Sequence, residues 1–458
     1  MYAAGRRTRA GRGDGINARA AAGSAADAGV LFLQSDSSQG PEPPRFTVDL
    51  SQPPEHRYDH VARRLAGRIS SADLAGLFSE LVGALAPPLL ARSLHLFARI
   101  VLRRVYSSEE TRELRGISAA AGVPVYLLVA FNVLLDLLLG CTSGGVRVEA
   151  ADARAQGGSR PSSLSSSRML HFRTLDWGMD PLRKMVVELD FVRRQGGPVV
   201  ATSVTYFGYV GVLTGVRRGL SMSLNFRARH DRSTRRRRLA FRLHQAMVVL
   251  GLRRSISSVL RGYLLRPEAE RGVDAGEASV DKEQPAAGRA DGPGGQQEEG
   301  VMGRILTQLR TLPSSAAYLI FCTPQRVYSV EKDHCAASIR ESDTFLTTYN
   351  HDVSDEQDPS DLPRAAHQEV EHAIGMSELV AYSTERKRHV DALWRKKLDS
   401  RYRRLKRHAE AVGVRDVLGL VKDREVSNEE THYAVIMDPE QGTVLWRRVF
   451  EENHGDSG

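Results

Sequence analysis

The stretch GVPVYLLVAFNVLLDLLLGCTS, residues 122–143, decides how this chain is read. Gly122 and Pro124 close one helical segment, and an apolar run then fills residues 123–139. That run is shorter than the roughly 20 residues of a typical membrane span, and Asn132 and Asp136 interrupt it. It reads as a buried helix that delivers the chain to Cys141. Beyond Cys141 the hydrophobic period changes. Val187, Leu189 and Phe191 alternate with Glu188 and Asp190, and Leu220, Met222, Leu224 and Phe226 alternate likewise, so strands are predicted there. Glycines 208, 211 and 215 punctuate a β-branched and aromatic run at 199–216, which suits strands that turn sharply.

Working outward, RFTVDL at 45–50 predicts a short strand. Leu74, Leu77, Phe78, Leu81, Val82 and Leu85 make one helical stripe, ended by Pro87 and Pro88. Leu94, Phe97, Val101 and Val105 predict a second helix, and Ser107 with Glu110 fits a capping box for a third. Helical pattern returns at 239–265, and a long basic helix is expected over 384–411. Further strands are predicted at 317–321, 326–330 and 344–350. The C-terminus reads as a hairpin: HYAVIM, the turn DPEQG, then TVLWRRVF. Residues 1–44, rich in Gly, Ala and Arg, are expected to be disordered, as is an insertion at 266–300. A shorter Gly/Ser/Arg stretch at 144–168 reads as a second insertion. Strands flanked by helices in both halves point to a layered α+β fold rather than a doubly wound parallel sheet.

The chain has 458 residues, 41% of them hydrophobic and 26% charged, with a formal net charge of +9. This is globular composition. Basic residues cluster at 235–238 (RRRR) and 395–407. Such runs serve as solvated faces or meet an anionic surface, and with no nucleic-acid motif nearby the surface implied is membrane lipid. The three cysteines are too few for a disulfide scaffold and show no zinc-type spacing with histidine. A Cys322–Cys335 pair would leave Cys141 as the odd thiol, a candidate for reactivity. No sustained h-region of a secretory signal is visible near the first residues.

Amide hydrolysis requires a nucleophile, a base and donors for the developing oxyanion. A cysteine at a chain N-terminus supplies the first two. Its α-amine, with a pKa of about 7.7–8.0, can take the thiol proton. Small Gly140 would not obstruct attack of the Cys141 thiol on the preceding carbonyl. Taken alone, a cysteine behind an apolar helix reads first as a packed structural residue.

The segments GCTS at 140–143, HFRTLDWG at 171–178 and FGYVGVLTGVRRGLSMSLNFR at 207–227 occur in order. With PPRFTVDLSQPP at 43–54, TYNHD at 348–352 and the C-terminal hairpin, they resemble the acid ceramidase and N-acylethanolamine acid amidase family. That family is part of the cholylglycine hydrolase-like group of N-terminal nucleophile hydrolases. The resemblance implies an αββα four-layer sandwich with two antiparallel sheets. It also implies self-cleavage between Gly140 and Cys141, and two pieces that stay associated: a helical α subunit at 45–140 behind the N-terminal tail, and a catalytic β subunit at 141–458. The implied reaction is hydrolysis of a lipid amide through a cysteine thioester, with ceramide first and N-acylethanolamines second, and without metal or organic cofactor.

By the same resemblance Cys141 is the nucleophile and Arg173 the arginine that lowers its thiol pKa. Asp176 is the carboxylate that holds the new α-ammonium. Asn350 and Asn225 are oxyanion donors, and Arg386 is a late arginine near the nucleophile, with Arg388 as a substitute. One departure stands out: the ceramidase branch reads Leu-Asn-Glu-Arg where this chain has Leu224-Asn225-Phe226-Arg227. The family is lysosomal. A different class is also open, a catalytically silent basic protein that binds membrane surfaces.

Overall fold

The computed structural model describes residues 33, 40–65, 74–76, 78–79, 96–134, 140–149, 167–227, 229–231, 233–265, 294–356, 376–405 and 411–450. Most of the 1–44 tail, most of the 74–85 stripe and residues 266–293 lie outside these. The described chain runs β1 (Arg45–Asp49), α1 (Asp59–Leu65), α2 (Ser108–Ala121) and α3 (Val125–Leu134) before Cys141. After them come β2 (Gly140–Glu149), β3 (Ser167–Asp176), β4 (Val186–Val192), β5 (Val199–Tyr206), β6 (Thr214–Arg217) and β7 (Leu220–Phe226). Helices α4 (Arg235–Val249), α5 (Ile256–Leu265) and α6 (Gly294–Thr311) precede β8 (Ala317–Cys322), β9 (Val327–Lys332), β10 (Ala337–Ser342) and β11 (Phe345–Thr348). The chain closes with α7 (Met376–Leu405), α8 (Val414–Val421), β12 (Thr431–Asp438) and β13 (Thr443–Val449).

These strands build two sheets. The larger has the order β1-β4-β5-β6-β7-β8-β9-β10 and the smaller β11-β2-β3-β12-β13. They lie face to face, with β2 and β3 over β7 and β8. Helix α5 covers β5, β6 and β7 on the outer face of the large sheet, while α8 packs on β2 and β3 from the far side of the small one. The result is an αββα four-layer sandwich, an α+β arrangement in which each sheet buries both faces. The complete burial of β4, β7, β8 and β12 follows from that position.

Local rules account for much of this. Ser107 caps α2 by accepting from the Glu110 N–H at 3.2 Å, and Gly122 ends the helix in the left-handed region at φ 68°. Several expectations change. The sheets are not wholly antiparallel, because β1 pairs in parallel with β4, Phe46 opposite Leu189. Residues 144–149 and 167–168 are strand, not insertion: β2 and β3 pair from Gly140–Asp176 to Glu149–Ser167. Glycine there serves close packing, since a Cβ on Gly145 would stand 2.4 Å from Val327 Cβ. The 266–300 insertion ends earlier than expected, because 294–300 are the first turns of α6. The 239–265 segment splits into α4 and α5 around Gly251, at φ 66°. The long basic helix begins earlier than expected, at Met376, and is described as far as Leu405; residues 406–410 lie outside the described residues. Among the described residues the helix around Phe97 runs over 96–101 and stops before Val105; Leu94 lies outside them. The Cys322–Cys335 pair is not formed. Cys322 ends β8 beside Val327, whereas Cys335 follows β9 at the opposite end of that hairpin, beyond disulfide reach.

Candidate active site

Strand alternation divides the site into two halves. On β2, Cys141 and Ser143 face the large sheet, while Thr142 faces the α7 side. On β3, His171, Arg173 and Leu175 point inward and Asp176 points toward α7. Hydrogen bonds follow that division. Ser143 Oγ donates to Asn225 Oδ1 of β7 at 2.8 Å. Thr142 Oγ1 accepts from Arg386 of α7 at 3.0 Å.

Cys141 is 1% exposed. Its Sγ accepts from Arg173 Nη2 at 3.2 Å, and its backbone N–H donates to Asn350 Oδ1 at 2.7 Å. Arg173 is wholly buried and held by a fork of acceptors. Nη2 donates to Leu224 O at 2.7 Å, and Nη1 donates to Thr214 Oγ1 at 2.5 Å and also to Leu213 O. Its guanidinium lies 5.9 Å from the centre of the Tyr433 ring, and Tyr433 OH bonds Thr214 Oγ1 at 2.9 Å. Burial pushes the Cys141 thiol above its ordinary range. Arg173 pulls it down and Asp176 pushes it up, and burial prevails. The balance favours the neutral thiol, despite the arginine against it.

Asp176 sits behind the nucleophile. Its carboxylate is bonded to Arg386 Nη1 and accepts from Thr431 Oγ1 at 2.7 Å, a buried ion pair. The Cys141 N–H goes to Asn350 rather than to Asp176. Asn350 donates from Nδ2 to Phe226 O at 2.8 Å, so its amide bridges β2 and β7. Asn225 donates to Thr348 O at 3.1 Å and Tyr349 O at 3.4 Å, tying β7 to the loop that carries Asn350. The structure thus brings Cys141, Arg173 and Asn350 into direct contact. Asn225 joins them through Ser143 and the 348–349 backbone, and Asp176 and Arg386 join through Thr142. Among the described residues Arg388, the substitute for Arg386, is not part of this network.

Residue patterns passed over Thr214, Tyr433, Thr431 and Ser383. All are buried polar side chains on strands or on α7, and only their unusual burial singles them out. Among the described residues, no group of three His, Cys, Asp or Glu side chains is placed to hold a metal ion. Two clefts lie elsewhere: one of about 210 Å³ lined by Arg57, Glu110, Arg254 and Arg261, and one of about 260 Å³ lined by Phe345 and Trp394. Neither is lined by Cys141.

A cysteine sealed between two sheets, with an arginine on its sulfur and an asparagine on its backbone nitrogen, defines a candidate thiol-hydrolase site in an αββα sandwich. Comparison with known proteins narrows the class. The family described as the beta subunit of N-acylethanolamine-hydrolyzing acid amidase matches residues 41–106. An N-acylethanolamine-hydrolyzing acid amidase of Caenorhabditis elegans is 30% identical over 210 residues, 43% of this chain and 52% of that protein. Acid ceramidase of Rattus norvegicus is 27% identical over 201 residues, 40% of this chain and 45% of that protein. The chain spans about half the length of the curated relatives it matches. A solved structure of the Caenorhabditis elegans amidase ortholog aligns with 67% of this chain and 99% of its own, at a TM-score of 0.38 and 16% identity. Over these parts of its length the chain is similar to N-acylethanolamine-hydrolyzing acid amidase and acid ceramidase. Among the described residues no helix is long and apolar enough to cross a membrane.

Proposed function

We propose that this protein is an N-terminal cysteine amidase that hydrolyses lipid amides after cutting its own Gly140–Cys141 bond. The observation that carries the reading is the pair of contacts on Cys141: Arg173 Nη2 on the sulfur at 3.2 Å and Asn350 Oδ1 on the nitrogen at 2.7 Å. In the cut, Cys141 Sγ adds to the Gly140 carbonyl and its proton passes to the departing nitrogen. Water then releases the Gly140 carboxylate and leaves a free α-amine. In turnover the α-amine takes the thiol proton, and the thiolate attacks the acyl carbonyl. The α-ammonium protonates the leaving amine. Water, activated by the same amine, cleaves the thioester and frees the fatty acid. Arg173 stabilises the thiolate. The amide of Asn350, and Asn225 behind it, supply oxyanion stabilisation. Asp176 contributes negative charge close to the new ammonium and fixes Arg386.

Ceramide is the first substrate of this reading and N-acylethanolamines the second. The second is supported by the family matched at 41–106 and by the 30% identical relative. Phe226 in place of the ceramidase glutamate also weighs against ceramide in particular. An anionic lipid surface is the proposed partner. Leu96, Phe97 and Ile100 are exposed, as are Leu239 and Leu243 of α4 and Leu250 and Leu252 after it. The two segments adjoin, since a Cβ on Gly251 would lie 2.8 Å from Arg104 O. Arginines 235–238 open α4 with no acidic residue in its first turn. Apolar tips ringed by arginine suit an acidic bilayer.

Intact mass spectrometry of the purified chain across acid to neutral pH tests the enzyme reading. Two fragments joined at 140/141 are expected, absent in Cys141→Ala. A chain that stays whole at every pH defeats the proposal and leaves the membrane-binding reading. Parallel assays with ceramide and an N-acylethanolamine then separate the two substrates.

A further inference from the structure

We propose that Ser383 and His351 form a clamp that positions Asn350 for the chemistry at Cys141. The inference rests on the amidase reading and deepens it. Asn350 can serve the reaction only if its amide is aimed. Its backbone lies just past the end of β11, and its N–H donates not to a neighbouring strand but to Ser383 Oγ at 2.8 Å. That hydroxyl, having accepted, still has a proton to donate, and His351 Nδ1 stands 2.7 Å away. With His351 Nδ1 assigned as the acceptor of that proton, the ring carries its own proton on Nε2. Nε2 faces Glu356 Oε1 at 3.7 Å, and Glu356 in turn meets Lys387 Nζ at 3.4 Å. The His351 ring also stacks on Tyr349, 5.8 Å between centres and 11° from parallel. The residues on either side of Asn350 are thereby locked, and Ser383 and His351 are themselves buried.

The same turn of α7 holds the other flank of the nucleophile. Ser383 and Arg386 are three residues apart and share a helix face. Arg386 reaches Asp176 and Thr142, while Ser383 reaches Asn350. One helical turn thus sets both the strand that carries Cys141 and the amide on its nitrogen. Ser383 touches neither the sulfur nor the scissile bond. It is a positioning residue, and misplacement of a reacting group by about 1 Å can cost roughly a hundredfold in rate.

The test uses the full chain and reads three quantities: the rate of self-cleavage by intact mass, kcat and KM on a fluorogenic fatty-acyl amide, and melting temperature. Ser383→Ala is expected to slow cleavage and kcat by roughly tenfold to a hundredfold with KM within about twofold. Ser383→Thr keeps the hydroxyl and is expected to restore most of both rates. His351→Gln retains an acceptor for that hydroxyl and is expected to be milder than His351→Phe, which keeps only the stack on Tyr349. If Ser383→Ala cleaves and turns over like wild type, the clamp is overturned. It is overturned too if Ser383→Thr melts like wild type but remains as slow as the alanine variant, or if His351→Gln and His351→Phe lose the same rate. A wild-type chain that neither cleaves nor turns over removes the amidase reading and the clamp with it. A working wild type with working variants removes the clamp alone.

Discussion

At the scale of single residues the site turns on a competition at Cys141. Burial favours the thiol, and only Arg173 in direct contact opposes it strongly. Arg173 can do so because its fork spreads over Cys141 Sγ, Leu224 O, Leu213 O and Thr214 Oγ1. A lysine offers a point charge and cannot reach these acceptors together. Arg173→Lys is therefore expected to slow self-cleavage at least tenfold. It should also lose roughly 1–3 kcal/mol of stability for each buried acceptor left without a donor. Urea unfolding beside a cleavage time course checks this, and a lysine variant that matches wild type in both would sink the account. The Asp176–Arg386 pair invites a second measurement. Both side chains are buried, so removing one partner strands the other charge at a cost of roughly 3–5 kcal/mol. Asp176→Asn and Arg386→Gln should each destabilise strongly, and the double variant should recover a large part of the sum. Strict additivity in that cycle would contradict a direct pair. The motif RTLD carries Arg173 and Asp176 visibly in the sequence. That they act on opposite faces of one strand follows from period two, once the strand itself is known.

At the scale of elements, α4 shows what a sequence gives up and what it withholds. Its arginine run is plain at 235–238, but its anchorage is not. Only His244 and Val248 are buried along its length. It is held by rings to His230 of the loop before it and to His334 in the turn after β9. Phe241 stacks on His230 at 3.6 Å, and His244 lies 4.9 Å from His334. His230 bonds Asp333 at 2.5 Å, Arg253 donates to His244 Nδ1 at 3.1 Å, and Lys332 sits beneath, bonded to Asp333 O and His334 O. Residues so distant along the chain give no local pattern, which is why this contact was illegible in advance. Burial, then the neighbouring His334, Arg253 and Lys332, lower His244 to about 4. An imidazole in the unfolded chain titrates at about 6.5. The unfolded state thus takes up its proton first. The stability resting on neutral His244 is whole above about pH 6.5 and is lost as pH falls toward 4. Melting curves over that interval should slope downward with acid, and His244→Gln should flatten the slope. An unchanged slope would place the acid sensitivity elsewhere, for which buried His171 and His432, each lowered to about 3 by burial, are next in line. The same remoteness hid β2 within a glycine-rich stretch. Gly144 and Gly145 read as loop, yet they pair with β3 and β11 as strand, and they are glycine because Leu346 O and Val327 leave no room for a side chain.

At the scale of the whole molecule, the question is what a cut at 140/141 would do to the sandwich. Residues before the cut are not a separate layer. Strand β1 is the edge of the large sheet, paired along its length with β4, and Arg45 binds Asp190. Helix α3 is pinned by Asn132, which donates to Gly208 O at 2.7 Å and accepts from Val210 N at 2.8 Å. Helix α2 is tied by Glu113, wholly buried between Arg57 at 2.8 Å and Arg261 at 2.7 Å. The layered class was legible from the change of hydrophobic period at Cys141. The parallel β1–β4 pairing was not, because alternation marks a strand without naming its neighbour. These ties span the proposed cut and bury apolar and charged groups together, so the two pieces should co-elute in gel filtration and separate only on denaturation. Glu113 is the sharpest place to test this, since it is wholly buried and in direct contact with an arginine from each piece. Glu113→Gln keeps the shape but leaves Arg57 and Arg261 facing each other with less charge between them. The expected outcome is dissociation of the cut pieces at lower urea than wild type, by roughly 3–5 kcal/mol for breaking a buried pair. The uncut Cys141→Ala chain carrying Glu113→Gln should stay monomeric in the same column, because its peptide bond still joins the halves. Dissociation of wild-type fragments without denaturant would show that β1, Asn132 and Glu113 do not hold the sandwich together.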